Sequence, residues 1–385
     1  MKILHLLSNR RWTERSEPAV DLALAERALG AEVTFVCGRS LKRSERGVAF
    51  YARRKGLDPV VVLEMPKHFR LFSAFRDVGK LRKLMASFNP DVIHCHMPNA
   101  HLLGSMAGGR ARPPFVVRSC YGPDGPKNDL RSRFLYRRCT DGLVVISEAA
   151  KNNAIRRYGL PSDAILVAEP GIDLDRFSRD REISGGREDF GLNQGQFVIG
   201  VVSRIRETRR IDVALTAVRA LAEEFPGLRL LLVGRGRKNA VEKVVKKPSL
   251  EMGIADRVIL AGYCHNDRLV AAYRAMDVLV YPAPGTDKSC RTVREAMASG
   301  VPVIAPGIGF LPELIENHVN GRFMDLSPGS LAYILSGLIR DRDKLESMAR
   351  HASETAKQRF STVLKAERTL SFYRKLTNEY GMLKF

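Results

Sequence analysis

KILHLLSNRRWTERSEPAVDLALAERALGAEVTFVC, residues 2–37, reads as strand, helix, strand. Lys2 to Leu7 is a short apolar run of the kind a buried parallel strand needs. After a polar loop, Ala19, Leu22, Ala23, Ala25 and Leu29 recur near helical spacing from about Pro18 to Leu29. Gly30 stands where a C-cap belongs, and Glu32 to Cys37 forms the next strand. This βαβ opening is repeated down the chain. Short apolar strands fall at Val60–Leu63, Val92–His94, Phe115–Val117, Leu143–Ile146 and Ile165–Val167, with helical segments between them. A second alternating block has strands at Phe197–Val202, Arg229–Val233, Val258–Ala261, Val278–Tyr281 and Val301–Ala305. Strands alternating with helices imply α/β architecture, a parallel sheet covered on both faces.

Two such blocks in 385 residues fit two domains. The expected division is residues 1–178, a linker at 179–194 marked by Gly185-Gly186, a second domain at 195–364, and a final helix from about Lys365 to Tyr380 within 365–385. Ligands of doubly wound sheets sit outside the carboxyl ends of strands, where strand order reverses.

Composition narrows the function classes. Nothing approaches the ~20 apolar residues of a membrane span, and Met1–Leu7 is too short and wrongly flanked for a secretory signal. The expected location is therefore cytoplasmic. Cys37, Cys95, Cys120, Cys139, Cys264 and Cys290 form no CxxC and no zinc-type spacing, so they read as reduced core thiols. The chain carries 63 Lys+Arg against 42 Asp+Glu, a formal +21. Such a surface attracts anions: phosphorylated substrates, anionic lipid or nucleic acid. No aromatic stacking platform or reading helix supports nucleic acid, and basicity alone is non-specific.

Two loops carry the chemistry. Gly285 to Cys290 precedes a helix opening near Arg291, and a helix start suits phosphate. Asp287 in that loop and Glu295 in the helix are carboxylates able to accept from sugar hydroxyls, or else a loop acid and a solvated helix acid. Ser203 to Arg210, SRIRETRR, puts four arginines just past a strand, where guanidinium forks can hold phosphate oxygens. Lys67 to Phe88, KHFRLFSAFRDVGKLRKLMASF, and the basic stretch Arg39 to Lys55 fit an anionic membrane surface; a helix with a core stripe and solvated charges fits the first equally well.

In order along the second half, GIDLDRF (171–177), SRIRETR, LLVGRGR (231–237), VILAGY (258–263), the VYP–EAMASGVPVIA run and PELIENHVNGRF (312–323) resemble the family-4 retaining glycosyltransferases of GT-B fold. The resemblance implies two Rossmann-like doubly wound domains facing a cleft, with the last helix returning to the first domain. It implies a nucleotide-sugar as donor substrate, a glycan or lipid-linked acceptor in cell-envelope or exopolysaccharide synthesis, no cofactor and no metal. Residue by residue, it puts Arg204, Arg209, Arg291, Thr292, Val293, Gly234 and Gly262 on the donor, Glu295 on the ribose and Asp287 on the donor sugar. In DVIHCHMPNA (91–100) His94 matches a core position and His96 one that faces the substrate, with Asn99 nearby. Trp12, Thr13, Glu17 and Cys120 fall on the acceptor side.

The chain departs from the family pattern in several places. Glu14 stands where a loop glycine is usual, Asp287 where a glutamate is, Arg209 where a lysine is, and Cys120 about where a histidine of a Thr-x-His motif is expected. Asp173-Leu174-Asp175 has the form of a metal motif but lies before the linker, away from the expected phosphates. The competing readings are a degenerate GT-B protein that binds nucleotide sugar or glycan without turnover, a sugar-nucleotide epimerase, and a nucleic-acid binder.

Overall fold

The computed structural model describes every residue except Glu14, 40–46, 66–70, 109–113, 284–288 and 383–385; the side chains of Val62, Leu71 and 379–382 are also outside the description. Asp287, Lys288, Glu14 and parts of the basic stretches at 39–55 and 67–88 thus lie outside the described residues. The chain forms two compact units, Met1–Gly171 with Thr362–Phe385, and Ile172–Ser361.

The first unit holds seven strands: β1 (Lys2–Leu7), β2 (Glu32–Gly38), β3 (Val60–Leu63), β4 (Val92–Cys95), β5 (Phe115–Ser119), β6 (Gly142–Val145) and β7 (Ile165–Val167). Their order is β3-β2-β1-β4-β5-β6-β7, all pairs parallel. The order reverses between β1 and β4. A ligand crevice therefore belongs at the segments that leave those two strands, residues 8–13 and 96–99.

The second unit holds β8 (Phe197–Val202), β9 (Leu228–Val233), β10 (Val258–Gly262), β11 (Val278–Val280), β12 (Val303–Pro306) and β13 (Gly321–Met324). Their order is β10-β9-β8-β11-β12-β13. Its switch point lies between β8 and β11; the arginine run leaves β8, and residues 281–283 leave β11. β13 has no strand signature in the sequence. Gly321-Arg322-Phe323-Met324 lacks a β-branched run, and it becomes a strand because β12 offers it an open edge.

The boundaries differ from expectation. Residues 172–178 belong to the second unit, where Asp173 caps the short Leu174–Phe177 helix by accepting from the Arg176 N–H, and Phe177 packs against Tyr273. The stretch 179–194 is not a free linker. Arg181 pairs with Asp267 at 2.9 Å, Arg187 with Asp277 at 2.8 Å, and Phe190 is buried. Polar composition disguised a segment that docks through its arginines. The Thr362–Met382 helix packs on the Ser16–Ala28 helix in the first unit, with Tyr373 and Leu376 buried. Gly142 makes room for that helix: a Cβ there would lie 2.6 Å from Leu376.

The Leu71–Phe88 helix buries Ala74, Val78 and Leu81 in the sheet-facing core and leaves Phe72 and Phe75 exposed. Among the described residues, no helix is long and apolar enough to cross a membrane. None of the six cysteines forms a disulfide.

Candidate functional site

The donor-side residues gather at the switch point of the second unit. β8 ends at Val202, and the chain then turns through Ser203–Arg210 before the Ile211–Leu221 helix. Arg204 is exposed and Arg209 half-exposed, and neither forms an ion pair with a described carboxylate. Their neighbours differ: Glu207 pairs with Lys243 and Arg210 with Asp212. The two arginines are thus available to an anion at the edge where the fold places ligands. Arg210 and Cys290 both adopt positive φ, at +51° each, immediately before the helices that open at this edge. Left-handed backbone at non-glycine residues is a strain that clusters at functional sites.

Gly234 and Gly262 act through backbone. Gly234 has φ +142°, and a Cβ on it would fall 1.9 Å from the Ser203 carbonyl oxygen. Its N–H donates to Gly262 O at 2.7 Å, and Gly262 has φ +70°. These glycines knit the loops leaving β8, β9 and β10 and so hold Arg204 in place. Alanine at Gly234 is expected to cost the second unit about 2–3 kcal/mol, read as a lower urea midpoint, because neither the φ nor the approach suits a side chain.

Glu295 departs from expectation. It is 3% exposed, and both oxygens are taken: Tyr273 donates its hydroxyl to Oε2 at 2.8 Å, and Arg291 Nε donates to Oε1 at 2.6 Å. A ribose hydroxyl reaching Oε1 has to take the place of Arg291. Val293 is core, and its N–H donates to Cys290 O at 3.1 Å. Thr292 is half-buried in the first turn of the Arg291–Ala298 helix, the turn whose N–H groups suit a phosphate. Asp287 lies outside the described residues.

In the first unit, Trp12 lies tilted against Tyr51, ring centroids 5.1 Å apart, and the Thr13 carbonyl accepts from the Ser16 N–H. Glu17 is not free: Lys55 bridges it at 3.1 Å and Asp21 at 2.7 Å. Asn99 is half-buried beside the β4 exit. Two expectations need correction. Cys120 points into the core, its Sγ 3.4 Å from the Tyr136 hydroxyl, and the next residue, Tyr121, takes the opposite face. His96 does not face a substrate space: it is fully buried, as is His94.

What covers the histidines is a group the sequence did not announce. His5 pairs in register with His94 across β1 and β4, and His94 and His96 share a face because strand side chains alternate. Glu26 from the Ser16–Ala28 helix, Ser119 and Tyr121 from the β5 exit, and Tyr373 from the Thr362–Met382 helix complete it. Burial holds the His94 and His96 imidazoles well below the ordinary histidine range, and nearby Arg118 and Lys365 push the same way. One ring nitrogen from each of His5, His94 and His96 lies within 4.8 Å of the others. Every ring nitrogen, however, already has a hydrogen-bond partner, and two cations stand close by, so the arrangement is that of a hydrogen-bonded network.

Two doubly wound parallel sheets, one with arginines at its switch point that pair with no described carboxylate, define a GT-B protein. Over its full length the fold matches the Anabaena HepE protein crystallised with UDP: TM-score 0.80, 20% identity, 97% of this chain and 100% of that one. The same protein has also been crystallised with UDP-glucose. The profile described as "Glycosyl transferases group 1" matches residues 185–359, and that described as "Glycosyltransferase Family 4" matches 19–176. The D-inositol 3-phosphate glycosyltransferase of Mycolicibacterium smegmatis is 30% identical over 308 residues, covering 75% of this chain and 68% of that protein. The protein of that name from Nocardia farcinica is 28% identical over 279 residues, 68% of this chain. The match spans only 61% of that relative's length. This chain belongs to the group 1 glycosyltransferases.

Proposed function

We propose that this chain moves a sugar, with retention of configuration, from a nucleoside-diphosphate sugar to a hydroxyl of a glycan or lipid-linked acceptor in cell-envelope or exopolysaccharide synthesis. The observation that carries this reading is the pair Arg204 and Arg209, cationic, without a described carboxylate partner and set at the switch point of the second sheet. A diphosphate offers such guanidinium groups charge-assisted hydrogen bonds. The likeness to a fold that holds UDP supports the donor class. Relatives named for D-inositol 3-phosphate place a phosphorylated polyol among the acceptors to test.

The lipid-linked acceptor draws support from the surface of the first unit. Phe72 and Phe75 are exposed beside Arg76, Lys80, Arg82 and Lys83, and Leu130 and Phe134 beside Arg131, Arg133 and Arg137. Apolar rings among cations suit the headgroup region of an anionic membrane, on the inner face in this reading. The fully engaged Glu295 favours one rival, a protein that binds nucleotide sugar without turnover.

The test is a panel of UDP-, GDP- and ADP-linked sugars, read by thermal shift and by nucleotide release, with D-inositol 3-phosphate or membrane extract as acceptor. A donor at about 100 times its dissociation constant adds about 2.7 kcal/mol. Acceptor-dependent nucleotide release supports transfer. Stabilisation with no release under any condition supports the rival, and no stabilisation by any donor sinks both.

A further inference from the structure

Four side chains of the first unit hydrogen-bond in series from the carboxyl edge of the sheet into its core. The Tyr121 hydroxyl lies 2.8 Å from His96 Nδ1. His96 Nε2 lies 2.8 Å from His5 Nδ1. His5 Nε2 lies 2.6 Å from Glu26 Oε2. Tyr121 is half-buried at the β5 exit, whereas His96, His5 and Glu26 are fully buried. Glu26 Oε1 is buried, and the Tyr373 hydroxyl lies close to the carboxylate.

One end of this series sets the direction of all of it. An ionised carboxylate only accepts, so His5 must carry its proton on Nε2 and leave Nδ1 bare. His96 then donates from Nε2 and leaves its own Nδ1 bare. Tyr121 must donate to that nitrogen, and its oxygen then accepts, from the neighbouring Ser119 hydroxyl or from a hydroxyl that takes its place at the edge. If Glu26 is protonated, every bond in the series reverses and Tyr121 turns its proton outward.

We propose that Tyr121, His96, His5 and Glu26 form a one-proton wire that takes a proton from a substrate hydroxyl at the sheet edge and stores it on Glu26. The hydroxyl's O–H bond breaks and an O–H bond forms on Tyr121. The former Tyr121 proton passes to His96 Nδ1, the His96 Nε2 proton to His5 Nδ1, and the His5 Nε2 proton to the Glu26 carboxylate. One proton enters, none is lost, and no ring is charged at the end. Identifying the hydroxyl as that of the glycosyl acceptor rests on the function proposed above.

The surroundings favour this concerted route over charged intermediates. Burial, then His94, His5, Arg118 and Lys365, hold His96 well below the ordinary histidine range, so an imidazolium there is disfavoured. Burial pushes the Tyr121 phenol up, with Arg118 and the Ser119 hydroxyl opposing and Cys120 and Asp21 adding, so a phenolate is disfavoured too. Glu26 ends the series, and its Oε2, 2.6 Å from His5 Nε2, is the oxygen placed to receive the proton. The titratable groups packed around the wire are Asp21 on the Ser16–Ala28 helix, His94 and Cys95 on β4, Arg118 and Cys120 at β5, and Lys365 and Tyr373 on the Thr362–Met382 helix.

Imidazole nitrogen NMR on the full chain reads the wire without substrate. In alkaline buffer His5 and His96 are expected as Nε2–H tautomers, and on acidification both should switch to Nδ1–H in one step, without passing through imidazolium. A His96 protonated on Nδ1 in alkaline buffer, or two rings that titrate separately, overturns the wire. In turnover of UDP-glucose with D-inositol 3-phosphate or membrane extract, Tyr121→Phe and Glu26→Gln should each lower kcat about 100-fold with KM little changed, and the double variant no further. Losses that add, or an unchanged kcat in Tyr121→Phe, overturn the role in proton uptake. If the wild type turns over no nucleotide sugar, the transferase reading and this role fall together, while the tautomers seen by NMR still decide whether the wire exists.

Discussion

An Arg204→Ala variant is expected to bind its nucleotide-sugar donor about 100-fold more weakly and to unfold at the wild-type denaturant concentration. The affinity loss follows from what the side chain is free to do. Arg204 is exposed and forms no ion pair with a described carboxylate, so its charge is available to a ligand. Hydrogen bonds to a charged group contribute about 1.5–3 kcal/mol, and roughly 100-fold corresponds to about 2.7 kcal/mol. The unchanged stability follows from the same fact, because removing an exposed side chain of this kind leaves no buried partner behind. Isothermal titration with UDP-glucose, and with the GDP and ADP sugars, measures the first half; urea unfolding measures the second. Arg209→Ala should lose affinity in the same direction. Equal affinity in wild type and Arg204→Ala would remove the donor site from this edge.

Mild acid is expected to unfold the first unit through its buried histidines. His101 is buried against Tyr136, its Nε2 2.8 Å from the Thr140 hydroxyl, and burial lowers its pKa to about 3 from 6.5. The folded-state value is depressed, so below 6.5 the unfolded chain binds a proton that the folded chain refuses. Stability is therefore full above 6.5 and is lost as pH falls from there toward 3. At about pH 5.5 the loss from His101 alone is about 1.4 kcal/mol, and it grows by about 1.4 kcal/mol for each further unit. His94 and His96 are shifted the same way by burial and add to the slope. Trp12 is the single tryptophan and packs in this unit, so its fluorescence in urea reports this transition. A urea midpoint that does not move between neutral and mildly acidic buffer would mean that these rings are protonated in the native state.

Much of the fold was legible because its signals are local. Short apolar runs marked twelve of the thirteen strands, and β13 escaped because its pairing, not its composition, makes it a strand. That Ser203–Arg210 and Trp12–Thr13 each follow the first strand of a block was legible in the alternation; that these strands flank the switch points is read from the strand order. The stretch 179–194 was misread because a polar, glycine-containing segment looks the same whether it is loose or held by Arg181 and Arg187 to acids some 90 residues away.

The sequence by itself pointed to two parallel α/β sheets, an arginine-rich loop just past the first strand of the second, and, through its resemblance to a known family, a transferase class. The first two depend on residue type and short-range spacing, the third on a resemblance carried by several motifs in order. Only the tertiary structure decided that His96 is buried, that Glu295 is already held by Tyr273 and Arg291, and that Tyr121, His96, His5 and Glu26 meet in series. These facts depend on which elements cover a given face. His5 and His96 are 91 residues apart, and the helix that brings Tyr373 over His94 begins at Thr362. No spacing rule reaches that far; burial of a polar side chain is settled by the packing of the whole unit.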